Sequence, residues 1–164
     1  MTDQVEQIAT EWAARLPGLD PSSMLIVARI QRLTALWDVY LRPPFVDAAL
    51  SPGDFDVLAA LRRLDAPATP TELTRGMLVT AGAITKRIDR LVGAGLATRS
   101  VSPEDGRSRL VRITAEGAEL ADQLIQTHVR NERALISCLS QHEQKSLRRT
   151  LEQLLEDAES RCAR

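Results

Sequence analysis

Apolar residues recur at helical spacing along nearly the whole chain, and the periodicity breaks only once. At the break, Leu96 to Val101 and Leu110 to Thr114 form two short runs prone to β structure. They flank the turn-rich Ser102-Pro103-Glu104-Asp105-Gly106. Such a chain is expected to fold as a helical assembly carrying a single β-hairpin with a mobile tip. Before the hairpin, Val5, Ile8, Trp12 and Leu16 mark a first helix that Pro17-Gly18 stops. Asp20-Pro21 reads as an N-cap and first helical residue. It opens a long stripe of Ile26, Ile30, Leu33, Trp37 and Tyr40 that ends at Pro43-Pro44. Ser51-Pro52 starts a helix with Phe55, Leu58, Leu61 and Leu64 inward. Thr69-Pro70-Thr71-Glu72 is a capping box opening a short helix through Met77. After Val79-Thr80 comes a helix with Ile84, Ile88, Leu91 and Val92 on one face, ended by Gly93 and Gly95. Beyond the hairpin, Thr114 caps a long helix carrying Leu120, Leu124 and Ile125. Ser140-Gln141-His142-Glu143 then opens a last one with Leu147, Leu151, Leu154 and Leu155.

Three helices followed by a hairpin, set between long helices, predict a mainly α fold with a small β wing: a winged helix-turn-helix between helical arms. The expected division is an extra N-terminal helix at 1–17, a long helix at 20–50, the winged helix-turn-helix at 51–114 and C-terminal helices at 115–164. A length of 164 residues fits one domain, and 44% hydrophobic residues suffice for a core. Apolar runs such as Met24 to Ala28 are far too short to span a bilayer, and MTDQVEQ is too polar for a signal peptide. Two cysteines, Cys138 and Cys162, cannot form a disulfide framework, which points to a reducing cytoplasm. Two histidines leave no His-rich metal site, and no cofactor is expected. The chain lacks a Gly-rich phosphate loop, a Gly-x-Ser-x-Gly elbow, HExxH and any recognisable carboxylate pair, so the expectation is no enzyme and no catalytic residue.

The net charge of −1 hides an asymmetry. Between Pro70 and Arg112 stand eight basic residues and four acidic ones, so this stretch carries +4 and the remainder −5. A basic middle between acidic ends points to a polyanionic partner, and the predicted fold makes that partner double-stranded DNA. In the helix after Thr80, the small Ala81, Gly82 and Ala83 permit close approach to a groove, while Thr85, Lys86, Asp89 and Arg90 face outward. Short polar groups at the helix start suit phosphates, and Lys and Arg reach guanine edges. Arg107 and Arg109 sit where the hairpin tip could enter a minor groove. The expected DNA contacts are thus Thr80, Ala81, Ala83, Thr85, Lys86, Arg90, Arg107 and Arg109. For any one of these a solvated surface role is as good an account; the set argues for DNA.

The segment Asp105-Gly106-Arg107-Ser108-Arg109-Leu110-Val111-Arg112-Ile113-Thr114-Ala115-Glu116-Gly117 resembles the wing signature of MarR-family regulators, with Ile113 where leucine is usual. Thr85-Lys86-Arg87-Ile88-Asp89-Arg90-Leu91 resembles that family's recognition helix. The likeness extends from about Pro21 to Ala158. It implies a homodimer with intertwined terminal helices, two winged lobes on a palindromic operator, and repression relieved by a ligand. The helix before Pro17 resembles the N-terminal extension of the family's urate-responsive branch, the PecS, HucR and MftR type. There a tryptophan on the added helix, an aspartate on the next core helix and two arginines bind urate. Trp12, Asp56, Arg87 and Arg99 match those positions in type and context.

The chemistry suits a planar anion, since an indole stacks on the ring and guanidinium groups hold its charged edge. Other aromatic, phenolic or carboxylate anions could use the same groups. In the resulting mechanism an Arg87–Asp56 interaction holds the recognition helix, an anion draws Arg87 away, and Trp12 closes the pocket. Two alternatives stay open at this point: a redox switch using Cys138, and an architectural protein that binds DNA without sequence preference.

Overall fold

The computed structural model describes residues 3–75, 77, 81–101 and 109–162. Helix α1 (Gln4–Arg15) starts at Asp3, whose carboxylate accepts the Glu6 backbone N–H at 2.8 Å. It buries Val5 and Ala9 against α2 (Ser22–Leu41), and Arg29 of α2 reaches back to Asp3 at 2.8 Å and Glu6 at 2.7 Å. The start of α2 differs slightly from expectation. Pro21 is the cap residue, and Asp20 accepts the Ser22 N–H from two residues before. The paired prolines do not simply end α2. They occupy the first turn of α3 (Pro43–Asp47), where a missing N–H costs nothing.

Helix α4 (Pro52–Leu64) opens with a full capping box between Ser51 and Asp54. Helix α5 (Pro70–Thr74) has its own box between Thr69 and Glu72 and stops at Thr74, short of the expected Met77. Helix α6 (Ala81–Gly93) follows as the second helix of the helix-turn-helix. Gly95, at φ +74, supplies the left-handed residue that turns the chain into β1 (Ala97–Val101). Strand β1 pairs antiparallel with β2 (Arg109–Ile113), Arg99 opposite Val111, and Ala68 adds one bridge on the other side of Val111.

Thr114 caps α7 (Ala115–Leu135) by accepting the Gly117 N–H at 3.0 Å, and its hydroxyl donates to the Gly95 carbonyl at 2.8 Å. Gly117 is required there, because a Cβ would overlap the Leu96 carbonyl oxygen. Helix α8 (Gln141–Cys162) begins at the expected Ser140–Glu143 box.

One core spans α3 to α7. Phe45 stacks on Phe55 with ring centroids 4.5 Å apart, and Leu58, Leu61, Leu73, Ile84, Ile88, Leu91 and Val111 are fully enclosed. The arms are different in kind. No residue of α2 or α8 is buried. Ile26, Ile30, Leu33, Leu36 and Val39 lie exposed on α2, as do Leu147, Leu151, Leu154 and Leu155 on α8. Among the described residues, no helix is long and apolar enough to cross a membrane.

Candidate nucleic-acid interface and ligand cavity

Helix α6 has two working faces. Ile84, Ile88 and Leu91 lock it to the core, and Thr85, Lys86, Asp89 and Arg90 are exposed as the periodicity requires. Ala81 opens the helix and Ala83 is half-buried. Arg109 is exposed at the first position of β2, paired in register with Val101. Thr80 and Arg107, also expected to meet DNA, lie outside the described residues.

Two of the outward groups are held by ion pairs. Arg90 forks onto the buried Asp54, with Nη2 2.6 Å and Nε 3.1 Å from Oδ1. The other carboxylate oxygen, Oδ2, accepts the Ser51 hydroxyl at 2.6 Å and the Ser51 N–H at 3.1 Å. Burial pushes the Asp54 carboxyl up, but the bonds from Arg90 and Ser51 outweigh it and hold the group below the usual aspartate value. Asp89 pairs with Arg99 of β1 at 2.8 Å, which ties the recognition helix to the wing.

Behind α6, a cavity of about 890 Å³ opens between α4 and α7. Its apolar walls are Ala59 and Ala60 of α4, Met77, and Ala121 and Ile125 of α7. Its polar groups are Asp56, Arg62, Arg63, Arg75 and Arg87. Arg62 is already engaged, with Nε 2.8 Å and Nη2 3.0 Å from the Asp122 carboxylate oxygens. No ion pair occupies Arg63, Arg75 or Arg87 among the described residues. The Arg87 Nη1 is enclosed and has no hydrogen-bond partner among the described residues. Burial raises the Asp56 carboxyl above the ordinary aspartate value, while the charges of Arg87 and His128 pull it down. Positive charge therefore exceeds negative charge in the cavity.

Of the four residues matched to the urate site, the structure brings Asp56 and Arg87 to this cavity. The expected direct Arg87–Asp56 contact does not form. Arg87 instead lies over the first turn of α4, where Gly53 leaves room for its guanidinium, and Arg90 makes the carboxylate contact one turn away. Trp12, 45% exposed on α1, and Arg99, held by Asp89, do not line the cavity within the single chain. Gly53, Asp54, Arg63, Arg75 and Met77 were not foreseen from the sequence. The signal available for two of them was the run Ser51-Pro52-Gly53-Asp54, a capping box with a glycine where helix formers are favoured. Cys138 is an exposed free thiol in the α7–α8 connection and Cys162 another at the end of α8. Among the described residues, no group of three or more His, Cys, Asp or Glu could hold a metal ion.

Capped helix, second helix and antiparallel hairpin on one shared core define a winged helix-turn-helix protein. The MarR family model matches residues 50–108. The HTH-type transcriptional regulator PecS of Dickeya dadantii (strain 3937) is 34% identical over 150 residues, which cover 90% of each chain. The multiple antibiotic resistance protein MarR of Escherichia coli (strain K12) is 37% identical over 103 residues, 63% of this chain and 68% of that one. The crystal structure of a mutant E. coli MarR complexed with operator DNA superposes with a TM-score of 0.71 at 26% identity, covering 94% of this chain and 99% of the other. The chain belongs to the MarR family: it is a DNA-binding, winged helix-turn-helix transcriptional regulator and not an enzyme.

Proposed function

We propose that the chain is a cytoplasmic homodimeric repressor that binds a palindromic operator and is released by a small anionic aromatic ligand, urate or a related purine. One observation carries this reading: the DNA-reading helix α6 contributes Arg87, with an enclosed and unpartnered Nη1, to a cationic cavity of ligand size. Lys86, next to it, faces solvent on the outer side of the same helix. A ligand that engages Arg87 therefore acts on the element that reads DNA, and its differential affinity for two helix positions sets the size of the response. The apolar stripes of α2 and α8 support the dimer, because apolar faces of that length are ordinarily covered. In this reading the arms at 1–17, 20–50 and 115–164 assemble two lobes spanning 51–114, with Trp12 closing the cavity in the assembled dimer and Arg99 relaying to the wing.

The test is a thermal-shift panel of purines, phenolic acids and carboxylates on the full chain, followed by DNA release for each compound that stabilises it. Urate or a related purine should raise the melting temperature and release DNA. Trp12→Phe and Arg99→Ala should lose that response while still binding DNA. If only a phenolic or carboxylate compound acts, the ligand class is wrong. If only an oxidant acts, Cys138 is the sensor instead.

A further inference from the structure

Arg87 and Arg90 lie one turn apart on α6, and both reach the first turn of α4. Arg90 takes Asp54 Oδ1, while Oδ2 of the same carboxylate closes the α4 capping box through Ser51. One buried side chain therefore joins the start of α4 to the last turn of α6. Beside it, Gly53 is the second residue of α4, and a Cβ there would overlap the guanidinium of Arg87. Gly53 provides the space in which Arg87 rests.

We propose that Gly53 and Asp54 form the seat that fixes the orientation of α6, and that Arg90 is a positioning residue held by that seat rather than a reader of DNA. Arg90 grips the seat through a bidentate ion pair, and the Arg87 guanidinium lies across it above Gly53. Drawing Arg87 into the cavity vacates the Gly53 side of the seat and leaves α6 on the Asp54–Arg90 pair alone. This rests on the reading of α6 as the DNA-reading helix and of the cavity as the ligand site, and it specifies the part that connects them.

The probe is the duplex that the wild-type chain selects from a randomised pool, bound over a salt series. Arg90→Gln and Asp54→Asn should each weaken binding about tenfold, with the double variant no worse than either. The slope of log affinity against log salt should stay at the wild-type value, because a positioning residue releases no counterions. Gly53→Ala should weaken binding several-fold, and should do nothing further in an Arg87→Ala background, where the space is empty. A shallower slope in Arg90→Gln with no effect of Asp54→Asn would make Arg90 a phosphate contact and overturn the proposal. So would an equal Gly53→Ala effect with and without Arg87. If the wild type selects no duplex, the DNA reading itself has failed. The seat is then judged by thermal unfolding and amide exchange of α6 in the same variants: coupling of 54 with 90 and of 53 with 87 supports it, and additivity in both refutes it.

Discussion

The winged lobe and the helical arms are both built on amphipathic helices yet differ in what one chain can finish. In the lobe, Leu58, Leu61, Ile84, Ile88, Leu91 and Val111 are fully enclosed by neighbours from the same chain. In the arms, α2 and α8 bury nothing, and Val39 is 72% exposed. Amphipathic pattern is the same signal in both regions, so the pattern marks which face must be covered without saying by what. The lobe supplies its own cover. The arms present a groove of about 740 Å³ between Trp37 and Leu139, Leu147 and Leu151, which the proposed dimer would cover.

That contrast can be broken at several points. Leu58→Ala opens a cavity in the closed core and should cost about 2–5 kcal/mol in chemical unfolding, lowering all functions together. Leu151→Glu, on the groove face of α8, should leave the lobe intact. It should yield a monomer in sedimentation and weaken binding to a two-half-site duplex about 100-fold, because the second lobe is no longer tethered. A dimer that survives this change would remove α8 from the interface. Thr114→Ala removes the cap where lobe and arm meet, together with the hydroxyl's bond to Gly95, and should cost about 1 kcal/mol.

The smallest expected effect is on pH dependence. The Asp56 carboxyl is raised by burial, so falling pH neutralises it earlier than an ordinary aspartate. Neutral Asp56 no longer repels an anion in the cavity. A ligand of constant charge should therefore bind roughly threefold tighter as pH falls from neutrality toward that raised value. Asp56→Asn should abolish the dependence, as isothermal titration at several pH values would show.

The lobe's plan was legible because its signals are local. Ser51, Thr69, Thr114 and Ser140 each cap the helix expected of them, and the turn-rich run separates two paired strands. Helix α3 was missed because Pro43-Pro44 serves equally as a helix stop and as a first turn. The site was half legible. Asp56 and Arg87, which line one cavity, were matched by the resemblance to the urate-responsive branch and not by residue type and period. Residue type and period could not show that Arg90, outward by period, bends back 36 residues in sequence to Asp54, because a long side chain is not bound to the face of its Cα. Nor could they show that Arg99 is taken by Asp89.

In the proposed mechanism one helix, α6, serves both the cavity and the DNA. Binding linkage tests it directly, because two ligands sharing a two-state element must weaken each other by the same factor. Urate should be titrated into the free protein and into its complex with the selected duplex. Urate should bind the complex about 5–150-fold more weakly, with DNA affinity falling by the same factor at saturating urate. Equal urate affinity for the free and the DNA-bound protein would contradict it.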